Sequence, residues 1–208
     1  MVETIDKSDY ILEIKGLKYN KSKLLQVVDD FGVTSFISKN QTTLYFVSKN
    51  DYDIYNYDGQ TGHNLFKQLE YVDYETQSQA YELIQSIIEQ FNPILQPAMR
   101  GQFIKFPKGF ELLKHTDDYG KPDSQMREAM IHISLTDETS PIEFYDGDQF
   151  LFEHEYTGPT IVNTQKMHTI KVPTQDRISF QLTFDTEFLN RQLWENLLLL
   201  HSKGKILN

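Results

Sequence analysis

The tripeptide His115-Thr116-Asp117 places an imidazole and a carboxylate two positions apart. Side chains two apart on an extended strand point to the same face, so these groups would converge on one point. Both groups are ligands of divalent transition metals. The same two residues could form a surface salt bridge, and short His-x-Asp patterns arise by chance. The pair therefore needs support from elsewhere in the chain.

Two later residues supply that support. His168 stands at the start of a later predicted strand, and Arg177 stands on the strand that follows it. Two histidines and one carboxylate on one face of an octahedral iron leave the opposite face open for other ligands. We therefore predict that His115, Asp117 and His168 bind Fe(II).

The segment RISFQLTF gives an independent argument for the role of Arg177. Arg177, Ser179 and Gln181 alternate along this predicted strand and share one face. A guanidinium in a largely apolar strand is costly to bury unless an anion meets it, and Arg matches a carboxylate with two parallel hydrogen bonds. We predict that Arg177 and Ser179 bind the far carboxylate of 2-oxoglutarate, whose keto-acid end would chelate the iron.

Short strands separated by turns must position these residues. The predicted strands of the second half are 102–106, 110–115, 129–135, 142–145, 150–155, 160–162, 168–172 and 177–184. About eight strands at this spacing predict an all-β sandwich or barrel, and a double-sheet jelly roll (a double-stranded β-helix) is the natural closed form. The fold class predicted is therefore mainly β with flanking helices.

The N-terminal part and the chain end add further elements. In chain order, we predict a strand at 10–14, a helix at 22–31, a strand at 42–47, and helices at 76–91 and 185–202. All three helices place apolar residues at helical spacing, and the helix at 185–202 would pack on the outside of the sheets. We predict a single compact unit, with an α/β elaboration over 1–75 packed on a jelly-roll core over 76–208.

Three segments of the chain resemble a known group of enzymes. They are FPKGFELLKHTD at 106–117, IHISL at 131–135 and NTQKMHTIKVPTQDRISFQLTFD at 163–185. Together they resemble the 2-oxoglutarate/Fe(II) oxygenases, within them the aspartyl/asparaginyl β-hydroxylase-like branch that includes free-proline hydroxylases. The resemblance covers less than half of the chain, and the first 75 residues contribute nothing to it.

The resemblance implies a role for each matching residue. The two histidines and the aspartate would hold iron, and Arg177 would pair with the far carboxylate of 2-oxoglutarate. His132 matches a histidine near the co-substrate, while Met130 stands where the branch often has arginine. The implied reaction uses molecular oxygen, releases succinate and CO2, and hydroxylates a free amino acid or a peptidyl residue. The intact Asp117 carboxylate favours hydroxylation over halogenation.

Composition bounds the other function classes. A net charge of −10 argues against DNA or RNA as a partner, because phosphate binding draws on Lys and Arg. The absence of cysteine excludes disulfides, thiolate metal sites and cysteine nucleophiles. No stretch is long and apolar enough to span a bilayer, and the N-terminus does not read as a signal peptide. We predict a cytoplasmic protein with no membrane partner.

Two alternatives remain open at this level. A cupin-type metal enzyme without 2-oxoglutarate would give Arg177 no role, and it usually has three histidine ligands. A non-enzymatic jelly-roll binding module would make the three predicted ligands accidental. Among the other histidines, we expect His154 to be structural, and His63 and His201 to be exposed.

Overall fold

The structure is a computed structural model that describes residues 5–31, 35–36, 41–46, 78–96, 99–117, 129–184 and 193–208. The prediction for His63 lies outside these residues. No helix in the described ranges is long and apolar enough to cross a membrane.

Ten strands and three helices make up the described chain. The strands are β1 (Ile11–Glu13), β2 (Ser35–Phe36), β3 (Gln41–Phe46), β4 (Met99–Phe106), β5 (Ala129–Ser134), β6 (Ile142–Asp146), β7 (Gln149–His154), β8 (Thr160–Asn163), β9 (His168–Ile170) and β10 (Arg177–Phe184). The helices are α1 (Lys21–Phe31), α2 (Ser78–Ile88) and α3 (Leu193–Ser202), and a short 3-10 turn precedes β1.

The strands form two antiparallel sheets. The larger sheet has the order β1-β8-β5-β10-β4-β3-β2, and the smaller has the order β7-β6-β9. The N-terminal strands extend the larger sheet at both edges, because β1 pairs with β8 and β3 pairs with β4. At the centre, β10 pairs with both β4 and β5, so its residues lie in the middle of the sheet.

One face of the larger sheet packs against the helices. Along β10, alternation puts Phe180 and Leu182 on this face, where both are fully buried in the main apolar core. Helix α2 comes very close to the sheet at Gly101. A Cβ added there would lie 3.0 Å from Ile84 Cγ2 and 3.3 Å from Phe180 Cε2, so a larger residue would have to displace both side chains.

The opposite face of the larger sheet faces the smaller sheet. Two apolar clusters bridge the sheets: Ile11 and Val162 with Ile142, Phe144, Phe152 and Tyr156, and Ile104 and Phe106 with Phe110 and Ile170. Polar side chains from the middle of the same face are buried between these clusters, namely His132, Thr160, Arg177, Ser179 and Gln181. We call this space the intersheet compartment.

The predicted mainly β fold with antiparallel sheets and helices is confirmed, with strand ends shifted by a few residues. The predicted strand at 110–115 is wrong, since only His115 forms a bridge there. The Thr169 hydroxyl donates to the Leu112 carbonyl where a regular ladder would use a backbone N–H. The helix predicted at 185–202 is seen over Leu193–Ser202, and its first part lies outside the described residues. Closure into a double-stranded β-helix and the boundary at residue 75 stay predictions.

Candidate metal centre

A backbone bridge brings the two predicted histidine ligands together. The His115 N–H donates to the His168 carbonyl, and the His168 N–H donates to the His115 carbonyl, both at 2.9 Å. The two imidazole rings lie with their centroids 4.5 Å apart. His168 pairs with Phe144 of β6, which is an inward residue of the smaller sheet, so its ring faces the intersheet compartment.

Asp117 completes the group two residues further along. Its backbone N–H donates to the Thr164 carbonyl at 2.8 Å, and its Oδ1 lies 3.5 Å from His115 Nε2. One ligand atom from each of His115, Asp117 and His168 lies within 4.8 Å of the other two. Within the described ranges, no other cluster of three such side chains has this spacing. We call these three residues the metal triad.

The hydrogen bonds of the imidazoles leave the correct nitrogens free for a metal. His115 Nδ1 lies 2.8 Å from the Leu113 carbonyl, and His168 Nδ1 lies 2.8 Å from the Lys166 carbonyl. A carbonyl only accepts, so each Nδ1 carries a proton, and Nε2 is the ring nitrogen through which each histidine would bind a metal. Metal-binding histidines are commonly oriented in this way. The donor set of two Nε2 atoms and one carboxylate therefore fits Fe(II).

Electrostatics differ between the two histidines. Burial lowers the pKa of His168, which favours the neutral ring that a metal needs. The hydrogen bond to Asp117 raises the pKa of His115, whose side chain is 36 % exposed. The triad thus has one face in the protein interior and one side open to solvent.

Arg177 is buried in the same compartment. It is only 1 % exposed, and its Nη2 donates to His132 Nε2 at 3.2 Å. The guanidinium carbon lies 5.6 Å from the centre of the Phe106 ring and 5.5 Å from that of Tyr156. No carboxylate of the described chain lies within ion-pair distance of it. Burial lowers the pKa of Arg177, yet a guanidinium remains protonated in proteins.

Several polar atoms around this guanidinium are buried without a hydrogen-bond partner in the described chain. They are Arg177 Nε, the Ser179 hydroxyl, the Tyr156 hydroxyl and His132 Nδ1. An unpaired buried polar group costs about 1–3 kcal/mol, so a cluster of them suits a bound polar group that would pair with all of them. Burial raises the pKa of Tyr156 to about 12, so its hydroxyl keeps its proton. All four atoms can donate, which suits an anion. We call these four residues the arginine site.

Comparison with solved structures places this arrangement among known folds. A prolyl hydroxylase from Trichoplax adhaerens, in complex with a peptide fragment of the oxygen degradation domain of hypoxia inducible factor, matches with a TM-score of 0.50 at 13% identity, over 86% of this chain and 84% of that chain. This chain shares its fold with that prolyl hydroxylase. At such low identity, the likeness concerns the fold alone.

Two further matches are weaker. A prolyl-4-hydroxylase from Pseudomonas putida gives a TM-score of 0.45 at 10% identity, over 79% of this chain and 83% of that chain. An oxidoreductase of the 2OG-Fe(II) oxygenase family from Burkholderia pseudomallei gives 0.42 at 11% identity, over 84% and 82%. No family model matches the sequence, and no curated protein matches it significantly.

The structure gathers the residues singled out in the sequence into two groups, the metal triad and the arginine site. Sequence reasoning missed Tyr156. The one feature of the sequence that points to Tyr156 is that it continues the alternation of Phe152 and His154, one residue past the end of the predicted strand 150–155. Met130 packs against the apolar cluster that bridges the sheets, so the position where the resemblance has arginine is apolar in this protein. The assigned roles of all these residues stay predictions.

The Glu138 carboxylate anchors the loop that precedes Arg177. Glu138 accepts hydrogen bonds from the backbone N–H groups and hydroxyls of both Ser140 and Thr174. These bonds, chiefly from the Thr174 hydroxyl, lower the pKa of Glu138 to about 2. They also hold Ser140 at a φ of 35°, a strained value for a residue with a Cβ. Glu138 therefore joins the 136–140 loop to the segment that leads into Arg177.

Replacing Glu138 with Gln is expected to lower the free energy of unfolding at pH 7. As the pH falls, the Glu138 carboxyl of the unfolded protein, with a pKa near 4.5, becomes protonated at a higher pH than the same carboxyl in the folded protein. The stabilisation is therefore complete above about pH 5 and is lost as the pH falls towards 2. Solvent screening of this partly exposed group limits the loss to about 1–2 kcal/mol. Urea unfolding at pH 7 and pH 3 would measure it, with Glu195→Gln as an exposed control. If the difference in the free energy of unfolding between the wild type and Glu138→Gln is as large at pH 3 as at pH 7, the hydrogen bonds to the Glu138 carboxylate are not its cause.

Proposed function

We propose that the protein is a non-haem Fe(II)- and 2-oxoglutarate-dependent dioxygenase that hydroxylates an amino acid or a peptidyl residue and releases succinate and CO2. One observation carries this proposal. The two-histidine, one-carboxylate triad and a buried guanidinium without a carboxylate partner in the described chain face the same intersheet compartment.

The triad residues would hold the metal through His115 Nε2, His168 Nε2 and the Asp117 carboxylate. When bound there, Fe(II) supplies the oxidising chemistry that 2-oxoglutarate and O2 together make possible at open positions of a facial triad. The protein's own part is to orient both imidazoles, because Nδ1 of each donates to the carbonyl of Leu113 or Lys166 and Nε2 is turned towards the metal. It also excludes bulk water from His168, which is 4 % exposed.

The arginine site would bind the far carboxylate of 2-oxoglutarate. Arg177 Nε and the hydroxyls of Ser179 and Tyr156 are donors that lack partners, and a carboxylate offers acceptors for all three. The anion would also neutralise a buried charge, which an apolar substrate could not do. This is the specific reason to prefer 2-oxoglutarate over the cupin-type alternative, which leaves Arg177 unexplained. A simple binding module would leave the metal triad unexplained.

Two observations bear on the substrate and on the outcome of the reaction. The prolyl hydroxylase from Trichoplax adhaerens is in complex with a peptide, which supports a peptidyl substrate here. The Asp117 carboxylate occupies the third position of the triad, so a halide has no evident place, and hydroxylation is the proposed outcome.

Anaerobic titration tests the proposal directly. The protein loaded with Fe(II) is expected to develop a weak visible charge-transfer band when 2-oxoglutarate is added, because a keto acid chelates an open facial-triad iron. Succinate, which has the far carboxylate but no keto group, should give no band. Folded, iron-loaded protein that gives no band with 2-oxoglutarate would refute the proposal, and iron binding alone would then favour the cupin-type alternative.

A further inference from the structure

We propose that His132 is a positioning residue that acts through Arg177: its neutral imidazole accepts a hydrogen bond from the guanidinium and orients it towards the co-substrate. This inference rests on the proposed function. It differs from a direct contact between His132 and the co-substrate, which the sequence resemblance implies.

The direction of the hydrogen bond follows from the chemistry of its two partners. Arg177 Nη2 and His132 Nε2 lie 3.2 Å apart, and both groups are buried. A guanidinium has only donors, so Nε2 must be the acceptor and must be unprotonated. The imidazole proton therefore sits on Nδ1, where the described chain offers it no partner.

The ring of His132 is held in place from two directions. It lies against the Tyr156 ring, with centroids 3.9 Å apart and an interplanar angle of 32°. On the sheet, His132 is opposite Gln181 of β10 and Thr160 of β8. Arg177 has many rotamers of its own and loses entropy when it is fixed in one of them. A hydrogen bond to a ring that is already fixed can hold the guanidinium at a defined angle.

The surroundings keep His132 neutral. The ionisable groups that face it are Arg177, His154 and Tyr156, and Glu138 interacts electrostatically with Arg177. Burial, followed by the nearby positive charge of Arg177 and the influence of His154, lowers the pKa of His132 well below its ordinary value. A protonated ring would lose its acceptor and place a second cation against the guanidinium.

These contacts give the nitrogens of the guanidinium different roles. Nη2 donates a hydrogen bond to His132, while Nε has no partner in the described chain. The Ser179 hydroxyl is also unpartnered, and the Tyr156 hydroxyl, which interacts with Arg177 as an acceptor, has no acceptor for its own proton in the described chain. The anion would therefore meet Nε and the two hydroxyls, and His132 would set the plane in which the guanidinium presents Nε.

Substitutions that separate the acceptor from the bulk of the side chain test this role. His132→Leu removes the acceptor, His132→Gln places an oxygen near the position of Nε2, and His132→Asn places its oxygen too close to the backbone to reach Arg177. We expect the dissociation constant of 2-oxoglutarate, measured from the charge-transfer band, to rise about 10- to 100-fold in His132→Leu. His132→Asn should resemble His132→Leu, and His132→Gln should recover most of the affinity.

Two controls separate positioning from a loss of structure. Fe(II) affinity should be unchanged in all three variants, because His132 is not a ligand of the metal. Ile133→Ala removes a fully buried side chain from the opposite face of β5 and destabilises the same strand. It should leave the affinity for 2-oxoglutarate nearly unchanged. Equal affinity in the wild type and His132→Leu, or equal losses in His132→Gln and His132→Asn, would overturn the proposal.

A second measurement needs neither metal nor co-substrate. The ¹⁵N chemical shifts of the His132 ring, assigned by their loss in His132→Gln, should show a neutral ring protonated on Nδ1 from pH 8 down to pH 5. A ring protonated on Nε2, or on both nitrogens at pH 6, would refute the hydrogen bond to Arg177. If the wild type gives no charge-transfer band, the proposed function fails, while the ring shifts still decide whether His132 accepts from Arg177.

Discussion

Arg177→Met is expected to weaken 2-oxoglutarate binding by about 100-fold or more while leaving Fe(II) binding intact. Removing one partner of a buried, hydrogen-bonded charge pair costs about 2–5 kcal/mol, and methionine keeps much of the volume of the side chain without its charge. The loss should be seen in the charge-transfer titration and as a large rise in the KM for 2-oxoglutarate. Ser179→Ala removes a single neutral donor and should cost much less.

The same substitution is expected not to destabilise the ligand-free protein. Arg177 is 1 % exposed and has no carboxylate partner in the described chain, and replacing buried charge with apolar volume is often neutral or stabilising, by up to about 4 kcal/mol. The free energy of unfolding should therefore stay equal or rise, whereas the stabilisation by added 2-oxoglutarate should disappear.

A surface charge provides the matched control. Lys171→Met also removes one positive charge, but its side chain is 57 % exposed and pairs with Glu153 on the outside of the smaller sheet. It should leave binding of 2-oxoglutarate unchanged. If Arg177→Met unfolds the protein, or if Lys171→Met weakens binding as much, the carboxylate role of Arg177 is wrong.

His168→Ala and Asp117→Asn are expected to lower the affinity for Fe(II) by at least about 100-fold, because the first removes and the second neutralises one of the three proposed ligands. Loss of a residue that merely supports a ligand already costs about 10- to 100-fold. Anaerobic equilibrium dialysis followed by metal analysis would measure the affinity. Circular dichroism of the metal-free variants should match that of the wild type.

His201→Gln is the matched control for the metal prediction. It also removes a histidine, but His201 is exposed on α3 and its ring contacts the Glu13 carbonyl, outside the metal triad. Full iron binding by His168→Ala, with the fold intact, would exclude the metal triad as the iron site. Loss of iron in His201→Gln would show that the metal lies elsewhere.

Local pattern alone was enough to predict most of the elements. Strand β10 was predicted with its observed ends, because the alternation in RISFQLTF separates an apolar face from a polar one. The stripe on α2 was equally clear, since apolar residues at helical spacing pack on the sheet. The choice of His115, Asp117, His168 and Arg177 also came from residue type and order, because few residue types bind iron or a buried carboxylate.

The tertiary structure decided what the local pattern could not. The segment 110–115 has the composition of a strand, yet the Thr169 hydroxyl takes the Leu112 carbonyl and leaves a single bridge at His115. That bridge, rather than a regular strand, sets His115 beside His168. Such pairing depends on residues far apart in the chain, whose register no local periodicity encodes.

The arginine site shows most clearly which properties the local pattern predicts and which depend on the tertiary structure. The sequence by itself determined that Arg177 and Ser179 share a face of one strand. Only the folded chain brought Tyr156 and His132 against the guanidinium, from a loop and a neighbouring strand. The physical reason is that burial and hydrogen-bond partners are properties of the assembled sheets. Residue order puts an arginine in an apolar strand, and the packing shows which side chains around it have no hydrogen-bond partner in the described chain.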